Sequence, residues 1–307
     1  MEQTCYDSFL HDSFLYDSFL EYLKSERNYS ARTVESYGTD LKEFAAFCEE
    51  LNESITWQTV DADIVRAWIV DCLDRGKMKA SSVNRKLSAV RTMYHYLAMM
   101  GVVEKNPARG ITGPKRGKAL PSFVKESEMN DLLDGGHFPT DFSGRRDRLV
   151  ILMFYDTGMR IAELLGLQDR DVDFAGRSIK VTGKRDKQRY IPFGEELARE
   201  MSDYMVLRDR TFVNHDDRFF LGDKGKAVSR SKVERLVKKY LTIVTSVSKR
   251  SPHVLRHTFA TTMLNHEADL VAIKNLLGHA SLRTTEVYTH TSFEELKSVY
   301  KDAHPRD

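Results

Sequence analysis

The helical spacing of apolar residues breaks off for a long stretch at residues 106–121 and then resumes in a different pattern. This stretch holds three prolines, three glycines and four basic residues, a composition typical of an exposed interdomain linker. A chain of 307 residues with 41% hydrophobic and 30% charged residues can bury two cores. We therefore expect one domain at 1–105, a linker at 106–122 and a second domain at 123–307. A loop within a single domain is the less favoured alternative.

Amphipathic helices dominate the first domain. Ser30 can cap a helix over residues 31–51, Asp61 opens a second helix, and Ser81 or Ser82 opens a third. Their apolar residues recur with the spacing of a buried stripe. The predicted inward residues are Val34, Tyr37, Leu41, Phe44, Cys48 and Leu51, then Ile64, Trp68 and Cys72, then Val83, Leu87, Val90, Tyr94 and Leu97.

A threefold repeat of YDSFL, HDSFL and YDSFL fills residues 6–20. Because a period of five does not match the helical 3.6, Phe9, Phe14 and Phe19 would wind around a helix and not line one face. A duplication that extends the first helix is favoured over an additional contact surface.

The second domain mixes helices with short strands. The helices are predicted at residues 125–133, 146–157, 229–244, 269–277 and 292–300, and a further one begins at Arg160. Two strands, 177–182 and 189–193, are predicted to form a hairpin, and 219–221 a third strand. The predicted fold class is therefore mainly α with a small antiparallel sheet.

Basic residues are concentrated in two windows, although the net charge is only +2. Residues 75–118 include eleven basic residues and one acidic residue. Residues 226–256 include nine basic residues and one acidic residue. One such run alone would suggest a solvated helix face. Two runs, one in each half, favour a clamp around a DNA duplex. The candidate DNA-binding residues are Arg85, Lys86, Arg91, Lys115, Arg116, Arg230 and Lys232.

The segment 251–290 carries residues suited to phosphate chemistry. His253, Arg256 and His257 follow Pro252 at a spacing that places them on one helix face. Tyr288, with an ordinary pKa near 10, is only about 0.1% ionised at neutral pH. A nucleophilic tyrosine therefore needs cationic and hydrogen-bonding help of the kind that arginine and histidine provide.

The motifs HVLRH, LLGH and VYTH, together with TGMRIAEL and GKRDKQ upstream, resemble those of the tyrosine site-specific recombinases, the phage-integrase family. The resemblance covers nearly the whole chain, and the Xer-type chromosome dimer resolvases match best. It implies a helical DNA-binding domain and a catalytic domain. The implied catalytic residues are Arg160, Lys184, His253, Arg256, His279 and the nucleophile Tyr288. Arg185 replaces a common glycine beside Lys184, so Lys187 is a second candidate.

The resemblance also implies a mechanism and partners. Tyr288 would form a 3′-phosphotyrosyl link and release a 5′-hydroxyl, without metal or ATP. The enzyme would act as a homo- or hetero-tetramer on a double-stranded DNA recombination site, with a paralogous recombinase and a DNA translocase as candidate partners. The C-terminal helix would dock in its own subunit or in a neighbour. The alternatives are a mobile-element integrase or invertase, a type IB topoisomerase and a non-catalytic architectural DNA-binding protein.

Zinc is a weaker interpretation of His253 and His257, since HxxRH sets an arginine between them and no general base follows as in HExxH. We expect no metal and no cofactor. Cys5, Cys48 and Cys72 show no CxxC pairing, which favours a reducing cytoplasm.

No membrane association is expected from the sequence. The longest apolar run, 149–155, is too short to cross a bilayer. The N-terminus also lacks the basic start and apolar core of a signal peptide.

Overall fold

The computed structural model describes residues 13–75, 77–115, 122–183, 187–278 and 290–306. The chain forms two compact units, Met1–Ala119 and Leu120–Asp307. Each has hydrophobic cores of its own. In the described ranges, no helix has the length and apolar character that crossing a membrane requires.

The first unit is a group of four helices. They are α1 (Ser13–Ser25), α2 (Ala31–Leu51), α3 (Ala62–Asp74) and α4 (Ala80–Met99). The predicted caps of α2 and α3 are confirmed, because the Ser30 hydroxyl accepts the N–H of Thr33 at 3.3 Å and the Asp61 carboxylate accepts that of Ile64 at 2.9 Å. These side chains satisfy N–H groups that have no partner within the first turn.

Aromatic rings form the centre of this unit. Phe44 meets Trp68 edge-on at 4.9 Å between ring centroids. The predicted inward residues of α4 are all buried. The prediction for Leu51 is wrong, since its side chain is 54% exposed at the very end of α2. On α1, Phe19 is buried and Phe14 exposed, as the winding of the repeat predicts, while residues 6–12 lie outside the described residues.

Lys86 does not lie on an outer face of α4, so its prediction as a DNA-binding residue is wrong. Its side chain is 3% exposed, and its ammonium group pairs with Glu43 and, at 3.4 Å, with Asp40. Both carboxylates belong to α2, which packs against α4. A buried cation needs such partners, because it has lost its hydration shell.

Residues 106–115, the first part of the expected exposed linker, pack on the first unit. Ala108 and Ile111 are buried in its core. The Arg91 side chain donates from Nε to the carbonyl of Ala108 at 3.0 Å, and Asn84 donates to that of Pro114 at 2.8 Å. The expectation of exposure is therefore wrong for Ala108 and Ile111, whereas Arg109, Gly110, Thr112 and Lys115 are exposed. Residues 116–121 lie outside the described residues.

The second unit combines eight helices with one sheet in the described part of the chain. The helices are α5 (Glu126–Asp134), α6 (Phe142–Thr157), α7 (Ile161–Gly166), α8 (Glu195–Thr211), α9 (Arg230–Val244), α10 (Pro252–Asn265), α11 (Leu270–Leu277) and α12 (His290–Ala303). The strands are β1 (Val172–Asp173), β2 (Ser178–Thr182) and β3 (Gln188–Pro192). The predicted fold class, mainly α with a small antiparallel sheet, is confirmed.

The sheet has the order β1-β2-β3 and is antiparallel throughout. The predicted hairpin is confirmed, with Val181 opposite Arg189. The predicted strand at 219–221 is wrong, since Leu221 makes only an isolated bridge with Ala227 and the third strand is β1. Helix α8 was not predicted, although it packs on α6.

The C-terminal helix α12 docks within its own chain. Leu296, Tyr300 and Ala303 are buried in a cluster with Phe259 of α10 and Leu276 of α11. Of the two outcomes that the sequence left open, this structure therefore shows docking of the helix in its own subunit.

The residues after α12 extend this packing. The ring of His304 stacks on that of Tyr300 at 5.0 Å, and Arg306 forms ion pairs with Asp134 of α5 and Glu196 of α8 at 2.8 and 2.7 Å. The chain end thus joins three helices of the second unit.

Replacing Lys86 by alanine should lower the free energy of unfolding of the first unit by about 3 kcal/mol, because Asp40 loses a buried partner. Urea denaturation measures this, with the exposed Lys105→Ala as control, for which a change within about 0.5 kcal/mol is expected. Equal stability of the two variants would contradict the buried pair.

The second unit should lose stability between pH 7.5 and pH 5. Burial lowers the pKa of His304 to about 4, against about 6.5 when unfolded. At pH 5 the unfolded chain therefore binds a proton that the folded chain does not bind. The free energy of unfolding is lower by about 2 kcal/mol at this pH. Urea titrations of wild type and His304→Gln at both pH values test this. A pH dependence of equal size in both proteins would refute the assignment.

Candidate active site

The turn between α6 and α7 gives the site its first fixed point. Gly158 ends α6 with φ of 57°, in the left-handed region that favours glycine. A Cβ there would lie 2.4 Å from Cδ1 of Phe259 on α10, so the turn packs directly on that helix. The carbonyl of Gly158 accepts a hydrogen bond from Nη1 of Arg256 at 2.6 Å.

Arg160 stands at the start of α7, where its charge opposes the helix dipole. Glu163, one turn later, compensates. Its carboxylate accepts the backbone N–H of Arg160 at 2.7 Å and Nη1 of the Arg160 side chain at 2.9 Å. Arg160 also donates from Nη2 to the carbonyl of Gly278 at 3.1 Å. The ion pair with Glu163 is therefore only part of what holds this guanidinium.

Glu163 is buried and binds a second arginine. Arg189 of β3 donates from Nη1 and Nη2 to the two carboxylate oxygens, at 2.6 and 2.9 Å. Burial by itself would raise the pKa of Glu163, but the hydrogen bonds and charges of Arg189 and Arg160 outweigh it and lower the pKa. The carboxylate is therefore ionised at neutral pH.

The C-terminal end of α11 collects three guanidinium groups. The carbonyls of residues 276–278 accept, in order, from Arg189 at 2.8 Å, from Arg256, and from Arg160 at 3.1 Å. The last carbonyls of a helix have no partner within it and carry the negative end of its dipole. Here the arginine side chains donate to these carbonyls and also place positive charge at the negative end of the dipole. In the sequence, His279 follows Gly278 directly.

Arg256 lies in a positively charged environment. Burial, and then the charges of Arg160 and Arg189, lower its pKa to about 10. It remains protonated at neutral pH. Among the described residues, three guanidinium groups thus face one carboxylate, that of Glu163, which leaves a surplus of positive charge where a phosphate would be stabilised.

The structure brings together some of the predicted catalytic residues. Arg160 and Arg256 bind neighbouring carbonyls, and His253, exposed on α10, lies three residues before Arg256. Lys184, His279 and Tyr288 lie outside the described residues. Within the described residues, no group of three histidine, cysteine or acidic side chains has the arrangement of a metal site.

The predicted DNA-binding residues differ in how far their side chains are already bound to other groups of the protein. The Arg91 guanidinium donates to the carbonyls of Ala108 and Ile111. Arg85 pairs with Asp40 and remains 45% exposed.

The candidates of the second basic window form ion pairs as well. Arg230 pairs with Glu234 at 3.7 Å, and Lys232 pairs with Asp223. Lys115 is exposed, and Arg116 lies outside the described residues.

Arg189 was predicted only as the first residue of a strand and not as part of the site. The useful signal was the two-residue period of β3, in which Arg189 shares the inward face with Ile191 while Gln188 and Tyr190 point outward. A charged residue at an inward strand position requires a buried partner.

Comparison with known proteins agrees with this architecture. Residues 122–295 match the model of the phage integrase family, and residues 16–101 match that of the phage integrase N-terminal SAM-like domain. Tyrosine recombinase XerC of Chlorobaculum tepidum is 37% identical over 313 residues, covering 94% of this chain and 93% of its own. XerC of Yersinia pestis is 37% identical over 287 residues, with 94% and 93% covered.

A solved structure of XerH site-specific recombinase bound to palindromic difH substrate, a post-cleavage complex, matches with a TM-score of 0.75 at 20% identity. The match covers 96% of this chain and 97% of the XerH chain. The fold is therefore shared. The chain belongs to the phage integrase family. Within that family it is a tyrosine recombinase of the Xer type, an enzyme of site-specific recombination that cleaves and rejoins DNA. The prediction of family and activity is confirmed.

Gly158→Ala should destabilise the second unit by about 2–4 kcal/mol, since the left-handed backbone costs about 1 kcal/mol and the contact with Phe259 costs more. Gly136→Ala is the matched control, because it has φ of 71° with no atom within 4 Å of the added Cβ. It should cost only about 1 kcal/mol. Urea denaturation compares the two, and equal losses would show that the close contact has no energetic effect.

Proposed function

We propose that the chain cleaves DNA by attack of Tyr288 on a backbone phosphodiester. The bond between the phenolic oxygen and phosphorus forms while the bond from phosphorus to the 5′ oxygen breaks. The product is a 3′-phosphotyrosyl link and a 5′-hydroxyl group. Attack of a 5′-hydroxyl from a partner strand reverses the step, so the phosphodiester energy is conserved and no ATP is needed.

The observation that carries this proposal is the convergence of Arg160 and Arg256 at the end of α11. A guanidinium has five N–H donors. Among the described residues, each of these side chains uses two nitrogens for the contacts that hold it, which leaves N–H donors for a phosphate. Forked hydrogen bonds to the non-bridging oxygens would offset the charge that builds in the transition state.

The remaining roles are those that the resemblance to the family implies, and they fit the chemistry of the residues. Lys184 would protonate the departing 5′ oxygen. His253 and His279 would orient the phosphate and the tyrosine or accept the phenolic proton.

We further propose that both units contact the duplex around this site. Lys115, Arg116 and the basic face of α9, with Arg230 and Lys232, would bind phosphates, and Arg85 would do so from α4. Lys86 is excluded by its burial, and Arg91 is committed to the carbonyls of residues 108 and 111.

The cellular task that fits best is resolution of chromosome dimers during cell division, in the cytoplasm. The similarity to XerC proteins along nearly the whole chain supports this. The active form would be a tetramer on a double-stranded DNA site, homo- or heteromeric, with a paralogous recombinase and a DNA translocase as partners.

Incubation with host genomic DNA, followed by denaturation and sequencing of covalent adducts, tests the reaction. We expect adducts at a discrete site and none with Tyr288→Phe. The control Tyr190→Phe, at a 50% exposed tyrosine of the same unit, should keep them. Tight binding without adducts would favour an architectural protein. Adducts that relax supercoils without strand exchange would favour a topoisomerase.

A further inference from the structure

Arg189 links three elements of the second unit through one buried guanidinium. It belongs to β3, its two terminal nitrogens bind both oxygens of Glu163 in α7, and its Nε donates to the carbonyl of Leu276 in α11 at 2.8 Å. The residue is 7% exposed. A planar fork with a third donor is a geometry that lysine cannot reproduce.

The packing around Gly278 reinforces this link. Gly278 ends α11 with φ of 62°, and a Cβ there would lie 3.1 Å from Cδ of Arg189 and 3.2 Å from its Nε. The Arg189 side chain therefore lies against the backbone of the turn whose carbonyl binds Arg160.

Glu163 connects Arg189 to the catalytic candidates. Its Oε1 accepts from both Arg160 and Arg189. Without Arg189, the ionised Glu163 would be left with Arg160 as its ion-pair partner and would neutralise a charge that a phosphate needs. Without the bond to Leu276, the end of α11, on which Arg160 and Arg256 rest, would lose one of its three anchors.

We propose that Arg189 is a positioning residue for DNA cleavage, which shares the charge of Glu163 and holds the end of α11 so that Arg160 and Arg256 present their free N–H groups to the scissile phosphate. The inference rests on the proposed function. Arg189 itself does not contact the reacting atoms, because its guanidinium is buried and bound to Glu163 and Leu276.

A nicked suicide duplex, carrying the site found by adduct sequencing, tests the proposal. Single-turnover adduct formation should fall at least 100-fold in Arg189→Met, in the range found when one charge-stabilising donor is lost. In Arg189→Lys it should fall about 10-fold, because lysine keeps the charge but not the fork. Duplex binding should change less than threefold. The matched control is Arg208→Lys, since Arg208 is also buried and forks onto Asp169 at 2.7 Å from both terminal nitrogens. It should cleave at the wild-type rate.

A methylphosphonate at the scissile position separates positioning from a purely structural role, because it removes the negative charge that the arginines stabilise. We expect the difference between wild type and Arg189→Met to shrink below 10-fold. An unchanged difference would overturn the proposal. So would cleavage by both Arg189 variants within threefold of wild type, or unfolding of Arg189→Lys where Arg208→Lys folds. If wild type itself forms no adduct, the proposed function fails instead.

Discussion

The second unit depends on one buried carboxylate placed between two arginines. Burying the Arg189 guanidinium is costly, and Glu163 compensates by accepting hydrogen bonds from Arg189 and from the partly exposed Arg160. Because Arg160 stands at the start of α7 and Arg189 lies on β3, this single group joins the sheet to α7. The surplus of positive charge that remains, with Arg256 nearby, suits a phosphate.

The end of a helix serves here as a scaffold for cations. Carbonyls that α11 cannot satisfy internally are bound by side chains from α7, α10 and β3. The glycine turns at 158 and 278 allow this close approach, since each brings its carbonyl within reach of an arginine. The described part of the site is thus built largely from backbone oxygens and guanidinium groups.

The C-terminal helix lies beside this scaffold. In α12, Phe293 contacts the ring of Tyr190 on β3 at 6.0 Å, and Tyr300 is buried near α10 and α11. By sequence, Tyr288 stands two residues before α12 begins. The docking of α12 therefore constrains one end of the segment that carries the proposed nucleophile.

Local chemistry in the sequence was enough to predict the helix caps at Ser30 and Asp61 and the motifs that indicate the family, because each depends on neighbours close in the sequence. Only the tertiary structure decided that Lys86 is buried, that residues 219–221 form no strand of the sheet, and that Arg189 binds Glu163. These outcomes depend on carboxylates, strands and carbonyls from distant parts of the chain, and the burial of a charge is determined by the partners that folding brings to it.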